Sequence, residues 1–172
     1  AKVCEKFYEL QQLGVLPVSH TIGMTNNQDW REPATSSRHD IAAAQVAVEG
    51  QLGWYSDPVF GVNGEHDYPL SMKLSKPYMP VFTPQEKALL KANRPSFFGL
   101  NHYGTAFVSA KKGIIEDNLA GGKSVWLYQA GWGFRKMLNW ISKRYGSIPI
   151  YCTEGGWSEE AKTPLEGKYD PG

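Results

Sequence analysis

Residues 147–156 read SIPIYCTEGG, a short apolar run that ends at Glu154 and two glycines. A second stretch of the same kind, SFFGLNHY, occupies residues 96–103 and turns polar from Asn101 onward. Short apolar runs bounded by turn residues are typical of buried strands in parallel sheets. Residues 133–145 lie between the two runs, place apolar side chains at helical spacing and are followed by glycine, so they predict a helix.

The rest of the chain repeats this alternation. Residues 1–13 and 38–52 show helical patterns, and Thr83-Pro84-Gln85-Glu86 predicts a helix start with a capping box. Residues 17–24, PVSHTIGM, predict a strand that runs into a polar loop, TNNQDWREP, and residues 54–61, WYSDPVFG, predict the end of the second helix. The predicted order of helix, strand, helix, helix, strand, helix, strand indicates an α/β fold with parallel strands and crossover helices.

Composition restricts the function classes. The chain has 172 residues, 41% of them hydrophobic, with 18 Lys plus Arg against 17 Asp plus Glu. A net charge of +1 argues against nucleic acid as a partner, and no apolar run approaches the ~20 residues that span a bilayer. The chain shows neither a signal-peptide layout nor an Asn-x-Ser/Thr triplet, so localisation stays open, with the cytoplasm slightly favoured.

Neither histidine nor cysteine spacing predicts a metal site. The four histidines lack a ligand spacing such as HxxxH, and Cys4 and Cys152 belong to no CxxC motif. We expect two buried free thiols, with a disulfide left open as the alternative.

Polar residues follow the predicted strands at their carboxyl ends: Asn27 after the first, Asn101 and Tyr103 at the second, Glu154 after the third. This edge carries the chemistry in barrels and in doubly wound sheets. From the local pattern alone Glu154 is either a catalytic carboxylate or a surface glutamate at a strand exit, and Tyr103 is either a site residue or a core aromatic.

Three sequence blocks, taken in their order along the chain, are similar to consecutive segments of a known family: FFGLNHYGTAFVS at 97–109, SVWLYQAGWGFRKMLNWISKRYG at 124–146 and IPIYCTEGGWS at 148–158. They resemble the family 1 glycoside hydrolases, the β-glucosidase family, and are most similar to its eukaryotic and fungal branch. The similarity extends from residue 1 to about residue 158. It implies an incomplete (β/α)8 TIM barrel, in which residues 1–172 form a C-terminal-half portion, strands 5 to 7, rather than a complete domain. A complete barrel typically needs about 250 residues.

The resemblance also implies site residues. Glu154 matches the nucleophile that forms the glycosyl-enzyme intermediate, and Tyr103 matches a tyrosine that hydrogen-bonds it and favours its ionised form. Asn101 is implied to lie in the sugar site, and Trp126 and Asn27 to line the leaving-group side. No metal or organic cofactor is implied.

Two departures from the family pattern matter. Gly155 stands where the family has Asn, and the Asn-Glu-Pro motif that carries the acid/base glutamate is absent. The triplet Arg31-Glu32-Pro33 imitates that motif in a different segment, and we interpret Glu32 as structural.

The resemblance therefore implies a retaining β-glucosidase acting on a β-linked glucoside or oligosaccharide. The remaining barrel segments, including the acid/base, would lie on another chain or be absent from this one, and the isolated chain would be inactive. The alternative is a non-catalytic truncated barrel that binds sugar or a partner.

Overall fold

A computed structural model describes residues 1–115, 127, 130–156, 158 and 163 of the chain. Its helices are α1 (Lys2–Gln12), α2 (Arg38–Val48), α3 (Trp54–Phe60), α4 (Leu70–Ser75), α5 (Pro84–Ala92) and α6 (Gly131–Tyr145). Its strands are β1 (Gly23–Asn27), β2 (Trp30–Pro33), β3 (Phe97–Asn101), β4 (Thr105–Ser109), β5 (Gly113–Ile115) and β6 (Ile150–Glu154).

The main sheet is parallel and has the order β1-β3-β6. Thr25 pairs with Gly99, and Leu100 pairs with Cys152. Helices α2 to α5 lie between β1 and β3 in sequence, and α6 lies between β3 and β6. The predicted parallel strands with crossover helices are therefore confirmed, and in the described part of the chain β1 and β6 are the two edge strands.

A second, smaller sheet was not predicted. Strand β2 pairs in parallel with β4, which pairs in antiparallel with β5. The segment TNNQDWREP is thus not a loop: its first residues end β1 and its last four form β2. Each of these strands is short, and its pairing is visible only when the partner strand is known.

The first strand of the main sheet begins later than the sequence predicts. It starts at Gly23, whereas residues 17–20 form turns. The side chain of Gln11 donates hydrogen bonds to the carbonyl oxygens of Pro17 and His20, both at 2.9 Å. These carbonyl groups are satisfied without a neighbouring strand.

The second predicted helix continues further than expected. After α2 the chain passes through a π-helical turn, Glu49–Gly53, into α3. This helical segment ends at Gly61, which has a φ of 73°. The Asp57 carboxylate accepts hydrogen bonds from the Arg144 guanidinium at 2.8 and 2.6 Å and from the Tyr145 hydroxyl at 2.8 Å. These tertiary hydrogen bonds stabilise the helical conformation of α3, although its Ser-Asp-Pro sequence is typical of a turn.

The hydrophobic core lies between the main sheet and the helices. Phe98 and Leu100 of β3 are completely buried, and they pack against α6 and the α2–α3 region. The buried members of this core are Val48, Leu52, Phe60, Phe98, Leu100, Met137, Ile141 and Tyr145. The two cysteines are free: Cys4 is buried, but Cys152 on the edge strand β6 is exposed, so the prediction of two buried thiols is wrong for Cys152.

Within the described ranges, no helix combines the length and apolar character needed to cross a membrane.

Candidate active site

Three polar residues lie side by side at the carboxyl ends of the main sheet. Asn27 of β1 pairs with Asn101 of β3, which pairs with Glu154 of β6. Adjacent strands are about 4.8 Å apart, so the three side chains share one edge of the sheet. The structure therefore brings together Asn27, Asn101 and Glu154, whereas Trp126 lies outside the described residues.

A β-bulge lies immediately before Glu154. Leu100 pairs with Cys152 but the next residue, Asn101, pairs with Glu154, so Thr153 is an extra residue on β6. The Thr153 hydroxyl donates a hydrogen bond to the Asn101 side-chain oxygen at 2.7 Å. A bulge changes the direction of the side chains that follow it. Here it sets the direction of Glu154.

The Tyr103 hydroxyl donates a hydrogen bond to Oε2 of the Glu154 carboxylate. This bond raises the pKa of Tyr103 above its ordinary value, and slight burial and the negative charges of Glu154 and Asp29 act in the same direction. The phenol therefore stays protonated at neutral pH and remains a hydrogen-bond donor to Glu154.

The backbone beside this pair is held from two sides. The His102 N–H donates to the Glu154 carbonyl oxygen at 3.0 Å. The Asp29 carboxylate accepts hydrogen bonds from the Tyr103 and Gly104 N–H groups at 2.9 and 2.8 Å. Asp29 was not predicted as a site residue, because its partners are backbone N–H groups 74 and 75 residues away, which leave no pattern in the sequence.

His102 is buried, and its ring packs against that of Phe134 with centroids 5.0 Å apart. Burial lowers its pKa, and the nearby negative charge of Asp29 partly opposes this effect. His102 is therefore a neutral residue that packs behind the site at neutral pH.

Glu32 forms a structural contact. It accepts hydrogen bonds from the Trp30 indole at 2.6 Å and from the Lys136 ammonium at 2.7 Å, so it links β2 to α6. Among the residues that the structure describes, no group of three or more His, Cys, Asp or Glu side chains is placed to hold a metal ion.

A parallel sheet with crossover helices and a carboxylate at a strand end occurs in (β/α)8 barrels and in doubly wound sheets, and the similar solved structures select the barrel. Residues 1–169 match the family described as Glycosyl hydrolase family 1, and the chain belongs to this family.

Known proteins with similar sequence or structure include several β-glucosidases. Beta-glucosidase 42 of Arabidopsis thaliana is 35% identical over a match that covers 81% of this chain and 32% of that protein. The crystal structure of beta-glucosidase 2 from the fungus Trichoderma reesei matches with a TM-score of 0.76 and 31% identity, covering 92% of this chain and 38% of that one. The structure of a mutant rice beta-glucosidase in a covalent complex with Glc matches with a TM-score of 0.78 and 27% identity, covering 95% of this chain and 38% of that one. The chain thus spans about a third of the length of these relatives.

Proposed function

We propose that this chain supplies the nucleophile of a retaining β-glycosidase that hydrolyses β-glucosides or β-linked oligosaccharides. The observation that carries the proposal is the Glu154 carboxylate at the end of β6, held by the Tyr103 hydroxyl and aligned with Asn101. The rice relative supports it, because a mutant of that protein was solved in a covalent complex with Glc.

In the proposed reaction the Glu154 carboxylate attacks the anomeric carbon while the bond to the leaving oxygen breaks. An acid must protonate that oxygen, and the same group then removes a proton from the water that hydrolyses the glycosyl-enzyme. The second carboxyl group has to lie about 5 to 5.5 Å from the first. We assign it to a barrel segment outside this sequence, because the chain contains no Asn-Glu-Pro motif.

The neighbouring residues have positioning and binding roles in this proposal. Tyr103 orients the nucleophile through its hydrogen bond. Asn101 contacts the sugar, and Asn27 and Trp126 contact the leaving group. In the described part of the chain β1 and β6 are the edge strands of the main sheet, and the remaining barrel segments would pair there.

The test compares the 172-residue chain alone with the chain mixed with a polypeptide that supplies the other barrel strands. We expect negligible turnover of an alkyl β-glucoside by the chain alone and hydrolysis by the assembled sample. Glu154→Gln should lower the restored activity by more than about a thousandfold, while size-exclusion chromatography shows unchanged assembly.

Glu32→Gln is the matched control, because it makes the same chemical change at a glutamate of the second sheet. Glu32 contacts Trp30 and Lys136 and none of the proposed site residues. Full turnover by the isolated chain would contradict the assignment of the acid/base to another segment. An assembled but inactive complex would favour the non-catalytic barrel.

A further inference from the structure

The backbone between β3 and β4 leaves the main sheet at His102–Gly104, immediately beside Glu154. The N–H groups of Tyr103 and Gly104 donate to a single carboxylate oxygen, Oδ1 of Asp29, at 2.9 and 2.8 Å. Asp29 itself lies in the equivalent break between β1 and β2. One side chain therefore connects the two points at which the chain passes from the main sheet to the second sheet.

Backbone hydrogen bonds fix this connection on both sides. The Gln28 N–H donates to the Asn101 carbonyl oxygen at 3.0 Å, and the Trp30 N–H donates to the Gly104 carbonyl oxygen at 3.1 Å. On the opposite side, the His102 N–H donates to the Glu154 carbonyl oxygen at 3.0 Å. The Tyr103 backbone is consequently held between the Asp29 carboxylate and the strand that carries Glu154.

We infer that Asp29 is a positioning residue, which fixes the backbone of Tyr103 so that the Tyr103 hydroxyl meets the Glu154 carboxylate. Hydrogen bonds from N–H groups to an ionised carboxylate are roughly twice as strong as those to a neutral acceptor, and two of them converge on one oxygen. This inference rests on the proposed function for the role of Glu154 as nucleophile. It adds a residue that acts on the nucleophile only through Tyr103.

The competing interpretation is that Asp29 stabilises the strand break and nothing more. Asp40 provides a matched control, since its buried carboxylate also accepts a backbone N–H, from Ala110 at 2.8 Å, and a hydroxyl, from Thr35 at 2.6 Å. Asp40→Ala removes a comparable structural contact without touching Tyr103 or Glu154.

The first measurement is the titration of the Tyr103 phenol in the 172-residue chain, followed by NMR of labelled tyrosine and assigned with Tyr103→Phe. We expect Asp29→Ala to lower the Tyr103 pKa and Asp40→Ala to leave it unchanged. Asp29 also acts on Tyr103 through its charge. The same Asp29→Ala comparison is therefore repeated in chains that also carry Glu154→Gln. There the charge of Asp29 still acts on the Tyr103 pKa, whereas its positioning of Tyr103 against the Glu154 carboxylate no longer does.

The second measurement is the rate at which Glu154 is labelled in the assembled barrel by dinitrophenyl 2-deoxy-2-fluoro-β-glucoside, read by peptide mass spectrometry. The leaving group of this probe departs without an acid, so the rate reports the nucleophile alone. We expect labelling to slow about tenfold in Asp29→Ala and less in Asp29→Asn, which keeps an oxygen acceptor. Asp40→Ala should label at the rate of the unmodified chain.

The outcomes separate this inference from the proposed function. Absence of labelling in the unmodified assembly would overturn the proposed nucleophile, and the phenol titration would still decide whether Asp29 positions Tyr103. Normal labelling in Asp29→Ala, or equal effects of Asp29→Ala with and without Glu154→Gln, would overturn the inference. If Asp29→Ala does not fold, as judged by circular dichroism, Asp29→Asn takes its place: its neutral amide oxygen accepts the two N–H groups more weakly, so labelling should slow about threefold, and labelling at the unmodified rate would overturn the inference.

Discussion

Strands β3 and β6 have similar apolar sequences but different surroundings. In β3 the side chains of Phe98 and Leu100 are completely buried, whereas in β6 every residue after Ile150 is exposed. The cause is position: among the residues that the structure describes, β3 has a neighbouring strand on each side, and β6 has one. The apolar composition of a strand therefore predicts that its side chains should be buried, but the neighbouring strands determine how far they are buried in the structure.

The largest expected difference between the two strands is in stability. Phe98→Ala should lower the free energy of unfolding by about 3 to 5 kcal/mol, because it removes a fully buried ring from the core. Tyr151→Ala on β6 should cost about 1 kcal/mol or less, since its side chain is 57% exposed and its main contact is an edge-on ring pair with Phe97. Urea unfolding followed by circular dichroism measures both, and equal losses would mean that β6 is covered in solution.

A smaller difference is expected for glycine substitutions. A Cβ added at Gly99 of β3 would lie 2.4 Å from the Thr25 hydroxyl oxygen and 3.0 Å from its Cα, so Gly99→Ala should cost about 1 to 3 kcal/mol. At Gly155, after β6, the nearest atom would be the His102 carbonyl oxygen at 3.4 Å. Gly155→Ala and Gly155→Asn should therefore change stability by no more than about 0.5 kcal/mol.

The same unfolding experiment measures these variants. A large loss in Gly155→Asn would indicate that the residue typical of the family does not fit beside Glu154 in this chain. An unchanged Gly99→Ala would show that β1 and β3 separate easily, which contradicts their pairing as a rigid sheet.

The smallest expected effect is on pH dependence. Burial places the folded-state pKa of His102 below its unfolded value, so the unfolded chain takes up the proton first as the pH falls. This contribution to the free energy of unfolding is fully present above about pH 6.5 and is lost as the pH falls toward the folded-state pKa. His102→Phe should flatten the dependence between about pH 7 and pH 5.5 in urea unfolding, and an unchanged slope would show that His102 is accessible to water.

Local sequence patterns predicted most strands of the main sheet, the helices that pack against it and the sheet edge at which the site residues lie. The Thr83–Glu86 capping box and the apolar face of α6 depend on near neighbours in sequence, and the structure confirms both elements. Asn101 and Glu154 could be placed on one edge because parallel strands end together.

The features that sequence analysis missed depend on distant contacts. Strand β2 exists through its pairing with β4, and α3 through the hydrogen bonds of Asp57 with Arg144 and Tyr145. Asp29 could not be recognised because its partners are backbone N–H groups, which have no signature in the sequence.

The extra residue at the β6 bulge has a consequence for insertions and deletions. Side chains alternate between the two faces of a regular strand, so a change of one residue in its length reverses every side chain beyond it, whereas a bulge absorbs one extra residue and changes the direction of the strand. Deleting Thr153 would remove the bulge: Glu154 would still pair with Asn101, but its carboxylate would lose the direction toward Tyr103 that the bulge provides, although neither Glu154 nor Tyr103 had been replaced. At the positions next to Glu154, replacements should therefore be tolerated better than insertions or deletions, and functional variants of these positions should differ by replacement rather than by length.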